Sequence, residues 1–468
     1  MLDRLLILGT LLGSLSPLLA FVQLFQLKEW RLDRLREHLR REGWIATYLR
    51  ILFRGAIGKQ RVPVWTKKAL LITLTAVIFT AAATFSLSRN TTTLLVFALP
   101  IIAFQPLSAL FAWLAWKPID LFLKRRLLAR ASAHRATFID ATVIGIVGSV
   151  GKTTTKELLA CLLEDMLPIV TPQHVNTELG VAAWLLTAVP RGAKQPFLIV
   201  EMGAYAKGEI ATLCRVAQPT IAVITALGSD HLALFGSEDA IVDANAEILD
   251  ALPAHGKVFL YGANEQASGL ARRTPLPTVA VGPADIHDIR ESDRGLAFDM
   301  FNTRFNVALH GQHNANNAAL ALSVARDTGI PRERLRELLA RFRGAPNTFK
   351  LRTERGVMIL DDTYNVSPLS FRAALEWAKQ RPERPRVLLT SGLLETGAEE
   401  TRFLKELGAA ANTSVERVVF TTDAGKDAFE TAFGSPVESL THATPVTDDA
   451  LLVCVGRMPT TAIQRLLP

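Results

Sequence analysis

Cysteine is scarce in this chain: Cys161, Cys214 and Cys454 are the only three in 468 residues. They are far apart and form no Cys-x-x-Cys pair, which excludes a disulfide framework and a four-cysteine zinc cluster. The expectation is a reducing compartment and three small apolar side chains in buried positions. Low-complexity tracts and internal repeats are also missing, so the chain is neither a linker-rich nor a repeat protein. Acidic residues are few at one end only. Up to Arg135 there are six Asp/Glu against twenty Lys/Arg, whereas the remainder holds 38 against 32. The net charge of +8 therefore belongs to the N-terminal segment. That asymmetry predicts a basic surface-binding region joined to an ordinary soluble part.

Long apolar runs account for the basic end. Leu5 to Leu27 carries no charge and is long enough to cross a bilayer, as is Ala69 to Leu87, and Leu94 to Trp116 is a third stretch interrupted by Pro100 and Pro106. The first run is too long for a signal peptide and has no small-residue cleavage site before Lys28. Residues 1–137 are accordingly expected to form a membrane region with spans at about 5–27, 69–87 and 94–116. Twelve Lys/Arg lie between Lys28 and Lys68, Arg89 alone marks the short loop from Ser88 to Thr93, and Lys117, Lys124, Arg125 and Arg126 follow the third run. The positive-inside rule then predicts a multi-pass cell-membrane protein. Its N-terminus is outside, its 28–68 loop is inside, and everything after residue 117 is cytoplasmic. Within the loop, Trp30, Leu32, Leu35, Leu39, Trp44 and Ile45 make one face of a helix opposite arginines, expected to lie on anionic headgroups. Membrane lipid, not nucleic acid, is the predicted partner of these arginines.

The remainder alternates strand-like and helix-like segments. Apolar runs at Ala141–Val147, Pro196–Glu201, Thr220–Thr225, Lys257–Tyr261 and Thr278–Val281, with helical patterns between, predict an α/β domain over 138–343 with a parallel sheet. A second α/β unit is expected over 344–468. Its strands are placed at Val357–Leu360, Arg386–Leu389, Val418–Thr421 and Leu451–Val455, and the boundary near Gly344–Pro346. The first strand runs into Gly148-Ser-Val-Gly-Lys-Thr-Thr-Thr155 and then a helical pattern from Lys156 to Met166. Strand, glycine turn and helix start form a phosphate cradle. Backbone amides of Gly148, Ser149, Val150, Gly151, Lys152, Thr153 and Thr154 are placed to approach ATP, Lys152 to reach the β/γ-phosphates and Thr153 to hold Mg²⁺. Ile146 stands where the longer loop would have its first glycine, so this is a short Gly-x-x-Gly-Lys-Thr variant.

Other polar residues stand at strand or helix ends. Glu201 closes an apolar strand and can complete a Mg²⁺ shell begun by Thr153. His231 follows another strand, Asn317 lies at a helix start, and Asp361 and Asp362 end a strand of the second unit. The set resembles the Mur ligase family, most closely its D-alanyl-D-alanine-adding branch, from about Thr142 to the C-terminus. The resemblance rests on the glycine loop with Asn176-Thr-Glu-Leu-Gly180, Glu201-Met-Gly-Ala204, His231-Leu-Ala-Leu-Phe-Gly-Ser237, His313-Asn-Ala-Asn-Asn-Ala318 and Asp361-Asp-Thr-Tyr-Asn365.

It implies a P-loop central ATPase domain and a Rossmann-like C-terminal domain. In that scheme Thr153 and Glu201 hold one Mg²⁺, His231 holds a second, Asn317 contacts adenine and Asp362 approaches the ribose. The implied reaction is ATP-dependent phosphorylation of a substrate carboxylate followed by amine attack, with Lys152 and His231 as catalytic groups. The implied partners are a cell-wall precursor, soluble or lipid-linked, and an amino-acid or dipeptide acceptor. Three positions depart from the family. Asn245 replaces a lysine carbamoylated to bind the second Mg²⁺, and the expected consequence is a weakened second site. Ala345-Pro-Asn-Thr-Phe-Lys350 lacks the arginine that follows the boundary proline, with Lys350 or Arg352 as possible substitutes. Gly392 replaces an aspartate. The family's uridine-nucleotide-binding domain is not recognised upstream, where the membrane region stands. A nucleotide-binding scaffold without chemistry is the alternative function.

Overall fold

A computed structural model of the chain describes all residues except Met1, 58–61, 345–348, 364–365 and 394. It divides into two compact units, Met1–Arg126 and Leu127–Pro468. The division falls inside the helix Gln105–Arg135, whose last turns belong to the second unit. There Leu127, Leu128 and Ala131 join a core that includes Val143, Leu198 and Leu213.

In the first unit, two helices are long and apolar enough to cross a membrane, within Asp3–Leu27 and Lys67–Leu87. The expected third span falls on a pair of helices, Thr91–Ala103 and Gln105–Arg135, bent by 68°. Prolines cause the break: Pro100 and Pro106 have no N–H, and each leaves a carbonyl one turn earlier without its partner. Side chains then serve the carbonyls at the bend. The Gln105 amide donates to Ile101 O at 2.9 Å, and the Tyr48 hydroxyl to Ala103 O at 2.6 Å. Threonines within the apolar helices likewise donate to the carbonyl four residues back, as Thr73, Thr80 and Thr84 do. Polar groups surrounded by hydrocarbon need that pairing. The single amphipathic helix expected in the loop is two, Leu32–Glu42 and Trp44–Ile57, because Gly43 at φ 77° interrupts it. Leu35 is buried, whereas Trp44 and Ile45 are exposed, so only part of the anticipated face packs inward.

Among the described residues the second unit contains three sheets. In the first, all strands are parallel, in the order Ile169–Val170, Phe197–Glu201, Thr142–Val147, Ile221–Ile224, Lys257–Tyr261, Thr278–Val281. From the strand at 142–147 the chain first builds to one side and then to the other, so the topological switch point lies at that strand's carboxyl end, where ligands bind in open α/β sheets. Near-continuous Val, Ile and Leu in these strands suit burial on both faces. The C-terminal sheet runs Lys350–Glu354, Val357–Asp362, Leu451–Val455, Arg386–Thr390, Arg417–Phe420, Glu438–Ser439. Its first pair is antiparallel and the rest are parallel. A three-stranded antiparallel sheet, His287–Ser292, Gly295–Met300 and Thr303–Val307, was not anticipated. It covers the central domain with Leu296, Phe298, Met300 and Phe305.

Candidate nucleotide and metal site

The glycine loop sits at the switch point as a tight turn. Gly148 and Gly151 have φ of 137° and 93°, in the region that side chains avoid. A Cβ on Gly151 would also stand 2.5 Å from Asn317 Oδ1. The helix begins at Lys152, four residues before the expected start, and ends at Leu162. This makes the amides of Lys152, Thr153 and Thr154 its first turn, without intrahelical acceptors and with the positive end of the dipole behind them. The amides of Ser149 and Val150 point elsewhere: both donate to Ala226 O, at 2.9 and 3.0 Å. The Ser149 hydroxyl is tied to Gly228 as well, donating to its carbonyl at 3.2 Å. Lys152 Nζ folds onto the loop and donates to Gly148 O at 2.5 Å and Ser149 O at 3.0 Å.

Thr153 and Glu201 meet. Strand pairing sets Glu201 beside Ile146, and the Thr153 hydroxyl lies 3.1 Å from Oε2 and 3.2 Å from Oε1 of that carboxylate. Two residues that the sequence reading gave no role complete the group. Asn176 Nδ2 donates to Glu201 Oε1 at 3.1 Å. Lys156, fully buried, puts Nζ 3.4 Å from Glu201 Oε2 and 3.2 Å from Glu157 Oε1, with no hydrogen-bond partner among the described residues. A hydroxyl and a carboxylate at a phosphate cradle are the oxygen donors Mg²⁺ takes alongside substrate phosphates and water. Glu201 and Thr153 therefore fit that ion.

His231 has φ 57° and ψ 26°, a left-handed conformation, and starts the short helix Leu232–Phe235. Its Nδ1 meets the Glu395 carboxylate, and Ala233 N donates to Glu395 O at 2.8 Å. Tyr205 packs edge-on to the ring with centroids 4.5 Å apart. Asp230 lies next to it. Burial pushes its carboxyl above the ordinary value, opposed by the positive charges of His231 and Lys152 and a hydrogen bond from Ser367, while Glu395 adds to the rise.

Asn245 is buried, and its amide donates to Ile241 O at 2.8 Å within its own helix. Arg352 does not take over the missing arginine's place: it pairs with Glu354 and, at 3.6 Å, with Asp361. Lys350 is exposed. Positions 345–348 and 364–365, where the boundary proline and the end of the Asp361 motif fall, lie outside the described residues.

Asn317 stands over Gly151, with Nδ2 donating to Asn314 Oδ1 at 3.0 Å. Asp362 is buried at the end of its strand. Its Oδ1 accepts from Phe349 N at 3.2 Å, and the Phe349 ring meets His313, on the helix that carries Asn317, at 4.5 Å. Burial raises the Asp362 carboxyl to about 7, with the Phe349 amide opposing and Asp361 reinforcing the shift. Folded protein then holds a proton that the unfolded chain releases at the ordinary carboxylate value. Stability falls as pH rises through that window and levels off above about 7. Asp362→Asn is accordingly expected to raise the melting midpoint at pH 8 by a few °C and to change it little at pH 5. Equal shifts at both pH values would contradict the assignment.

Residues 146–325 match the Mur ligase middle domain. Over that segment the chain is similar to the Mur ligase family. It is similar to the UDP-N-acetylmuramoyl-tripeptide–D-alanyl-D-alanine ligase of Mycobacterium tuberculosis H37Rv, 33% identical over 279 residues, covering 55% of this chain and 53% of that one. The Bacillus subtilis protein of the same name is 32% identical over 291 residues, covering 60% and 63%. The chain thus spans about half to two-thirds of the length of these curated relatives. Among solved structures, Thermotoga maritima MurF in complex with ADP aligns with TM-score 0.64 at 25% identity, over 73% of this chain and 82% of that one. Acinetobacter baumannii MurF aligns with TM-score 0.67 at 23% identity, over 73% and 80%, and agrees in fold. The Mur ligase middle domain contains the whole Lys152, Thr153, Glu201, His231 and Asn317 set.

Proposed function

We propose that this chain is a membrane-anchored, ATP-dependent amide ligase acting on a peptidoglycan-type cell-wall precursor. The observation that carries the reading is the meeting of Thr153 and Glu201 beside Lys152 at the switch point of a Mur ligase sheet. The relatives' names supply the substrate class: a muramoyl peptide as carboxylate donor and D-alanyl-D-alanine as amine. A substrate carboxylate oxygen attacks the γ-phosphorus of ATP, the bond to the β-phosphate oxygen breaks, and ADP leaves. The acceptor amine then attacks the acyl carbon, loses a proton, and phosphate departs with the C–O electron pair. Lys152 and the amides of residues 152–154 hold the phosphates in line and neutralise charge that grows on them. Thr153 and Glu201 would hold Mg²⁺, which would supply further Lewis-acid stabilisation of the transferring group. Product mass analysis after incubation with ATP, Mg²⁺ and muropeptides, soluble and lipid-linked, tests this. An amide product with stoichiometric ADP supports it, and nucleotide turnover without any amide from either class refutes it.

A second reading, a nucleotide-binding scaffold without chemistry, draws on Asn245, whose amide is bonded back into its own helix. Acceptor-stimulated ATP hydrolysis separates the two, being present only in the ligase.

Anchoring rests on the two membrane-length helices, the bent pair, and an outer face that exposes Leu8, Leu12, Ile78, Phe111 and Phe122. With the bent pair crossing as one span, a reporter fused after Leu127 reads out as cytoplasmic and one at the N-terminus as external. Two cytoplasmic readouts would make the pair a re-entrant hairpin and sink the three-span topology.

A further inference from the structure

Between the two membrane-length helices, Leu2–Leu27 and Lys67–Leu87, lies a half-enclosed cavity of about 160 Å³. Leu11, Leu15 and Leu18 of the first helix line one wall, and Val77 and Ala81 of the second line the other. Ser14, Thr80 and Gln105 border it as well, all three buried. Their polar atoms are already bonded inside the protein. The Ser14 hydroxyl donates to Thr10 O at 2.8 Å and the Thr80 hydroxyl to Ala76 O at 2.9 Å. Gln105 stands at the bend of the proline-broken pair, with Nε2 donating to Ile101 O at 2.9 Å and Oε1 3.1 Å from the Thr80 hydroxyl. A water there lacks the several polar partners it needs, and an apolar cavity of comparable size in another fold stays dry and takes a benzene ring. Beside the cavity the helices pack closely: a Cβ on Gly13 would stand 2.9 Å from Ile102 Cδ1. The space is thus a feature of these faces and not of loose helix packing.

We propose that this cavity seats a section of the isoprenoid chain of a phosphate-bearing lipid, the carrier on which the cell-wall precursor is presented. The inference rests on the membrane-anchored ligase reading given above and narrows its donor to the lipid-linked class. Width selects the chain. A pocket that accepts a ring leaves voids around an unbranched acyl chain, and each void forfeits dispersion contacts that methyl branches would make. Charge selects the headgroup. At the basic end of the same helices, Trp30, Trp113 and Trp116 stand among lysines, the composition of a membrane–water interface. Lys68 is paired there with Asp120 at 2.8 Å, and Lys117 lies over the Trp113 ring at 4.6 Å. Lys67 is exposed and takes part in no ion pair among the described residues. It precedes Ala81 by about four helical turns, or about 20 Å, and so shares a face with it. Leu70, Leu74 and Ile78, all exposed, continue that face between the two. A phosphate held by Lys67 at the rim lets its chain run down this apolar face and into the cavity.

The test uses the full chain in lipid nanodiscs with a polyprenyl phosphate that carries a photoreactive group in its chain, and maps the crosslinked residues by peptide mass analysis. Labels are expected within residues 11–18 and 77–81, displaced by unlabelled polyprenyl phosphate but not by phosphatidylglycerol. Ala81→Phe, which fills the cavity, is expected to lower that labelling by about tenfold with an unchanged melting curve, as for the loss of about two buried methylene groups. Lys67→Gln is expected to weaken polyprenyl phosphate by about fivefold and to leave polyprenol unaffected, as for one lysine at a lipid phosphate. Labels spread over the outer faces of the helices, or equal displacement by phosphatidylglycerol, overturn the proposal. Both are read in the wild type, so a misfolded Ala81→Phe does not shelter it. Amide formed from soluble muropeptide, with no gain from the lipid-linked donor, overturns it too and leaves the ligase reading intact. Labelling of the cavity without amide from either donor overturns the ligase reading and leaves the isoprenoid site standing.

Discussion

Lys152→Ala is expected to lower affinity for ATP and ADP, and any turnover, by ~10²–10³-fold or more, the range seen when one preorganised donor to a developing oxyanion is lost. The reason is local. Ser149 and Val150 amides are spent on Ala226, so the phosphates are left with the first-turn amides of residues 152–154 and one cation from the loop. Fold stability should be nearly unchanged, because among the described residues Lys152 Nζ donates to two backbone carbonyls that water can serve in its place. Nucleotide affinity followed by fluorescence, together with a melting curve, checks both halves. Wild-type affinity in the variant would rule out the glycine loop as the phosphate site. Loss of affinity accompanied by unfolding would remove the local explanation.

The parts of this architecture legible in the sequence are those written in short-range pattern. The strands at 142–147, 197–201, 221–224 and 257–261 are apolar runs bounded by polar or glycine-containing turns, and all four fall within the expected segments. The antiparallel sheet at 287–307 had a signal that went unread. Leu296, Phe298 and Met300 alternate in burial with their neighbours, but His287–Ser292 is charged and largely exposed, and the pair resembles a polar connection. Hydropathy located the third apolar run correctly in sequence but could not say that prolines fold it into two helices at 68°.

For the site, the pattern names residue types but not meetings. Lys156 reads as one more charge on a helix, and its full burial follows only from the strand that sets Glu201 beside Ile146. Glu395 lies 164 residues from His231, and no periodicity links them. Asp230 is an unremarked loop acid until the loop is seen bonded to the phosphate cradle.

Glu201→Gln is expected to have the other large effect, and on two properties at once. Divalent-metal affinity in the presence of nucleotide should fall, because a neutral amide oxygen is a poorer partner for Mg²⁺ than a carboxylate. Stability should fall as well. The Lys156 ammonium is wholly enclosed and finds its counter-charges in Glu201 and the half-buried Glu157, so removal of the more deeply buried partner leaves a cation without adequate compensation. Breaking a buried pair in this way costs about 3–5 kcal/mol. Replacing both members can be close to neutral, since neither charge is then stranded. Lys156→Met alone should therefore be destabilising, with the Glu201 carboxylate left beside Thr153 and Asn176 only. The double variant Glu201→Gln with Lys156→Met should recover most of the lost stability but none of the metal affinity. Chemical denaturation of the four proteins, paired with Mn²⁺ titration, gives a double-mutant cycle in which stability couples and metal binding does not. Additive stability losses would show that Lys156 is not held by Glu201. Recovery of metal binding in the double variant would show that Glu201 is a structural counter-ion and not a metal ligand.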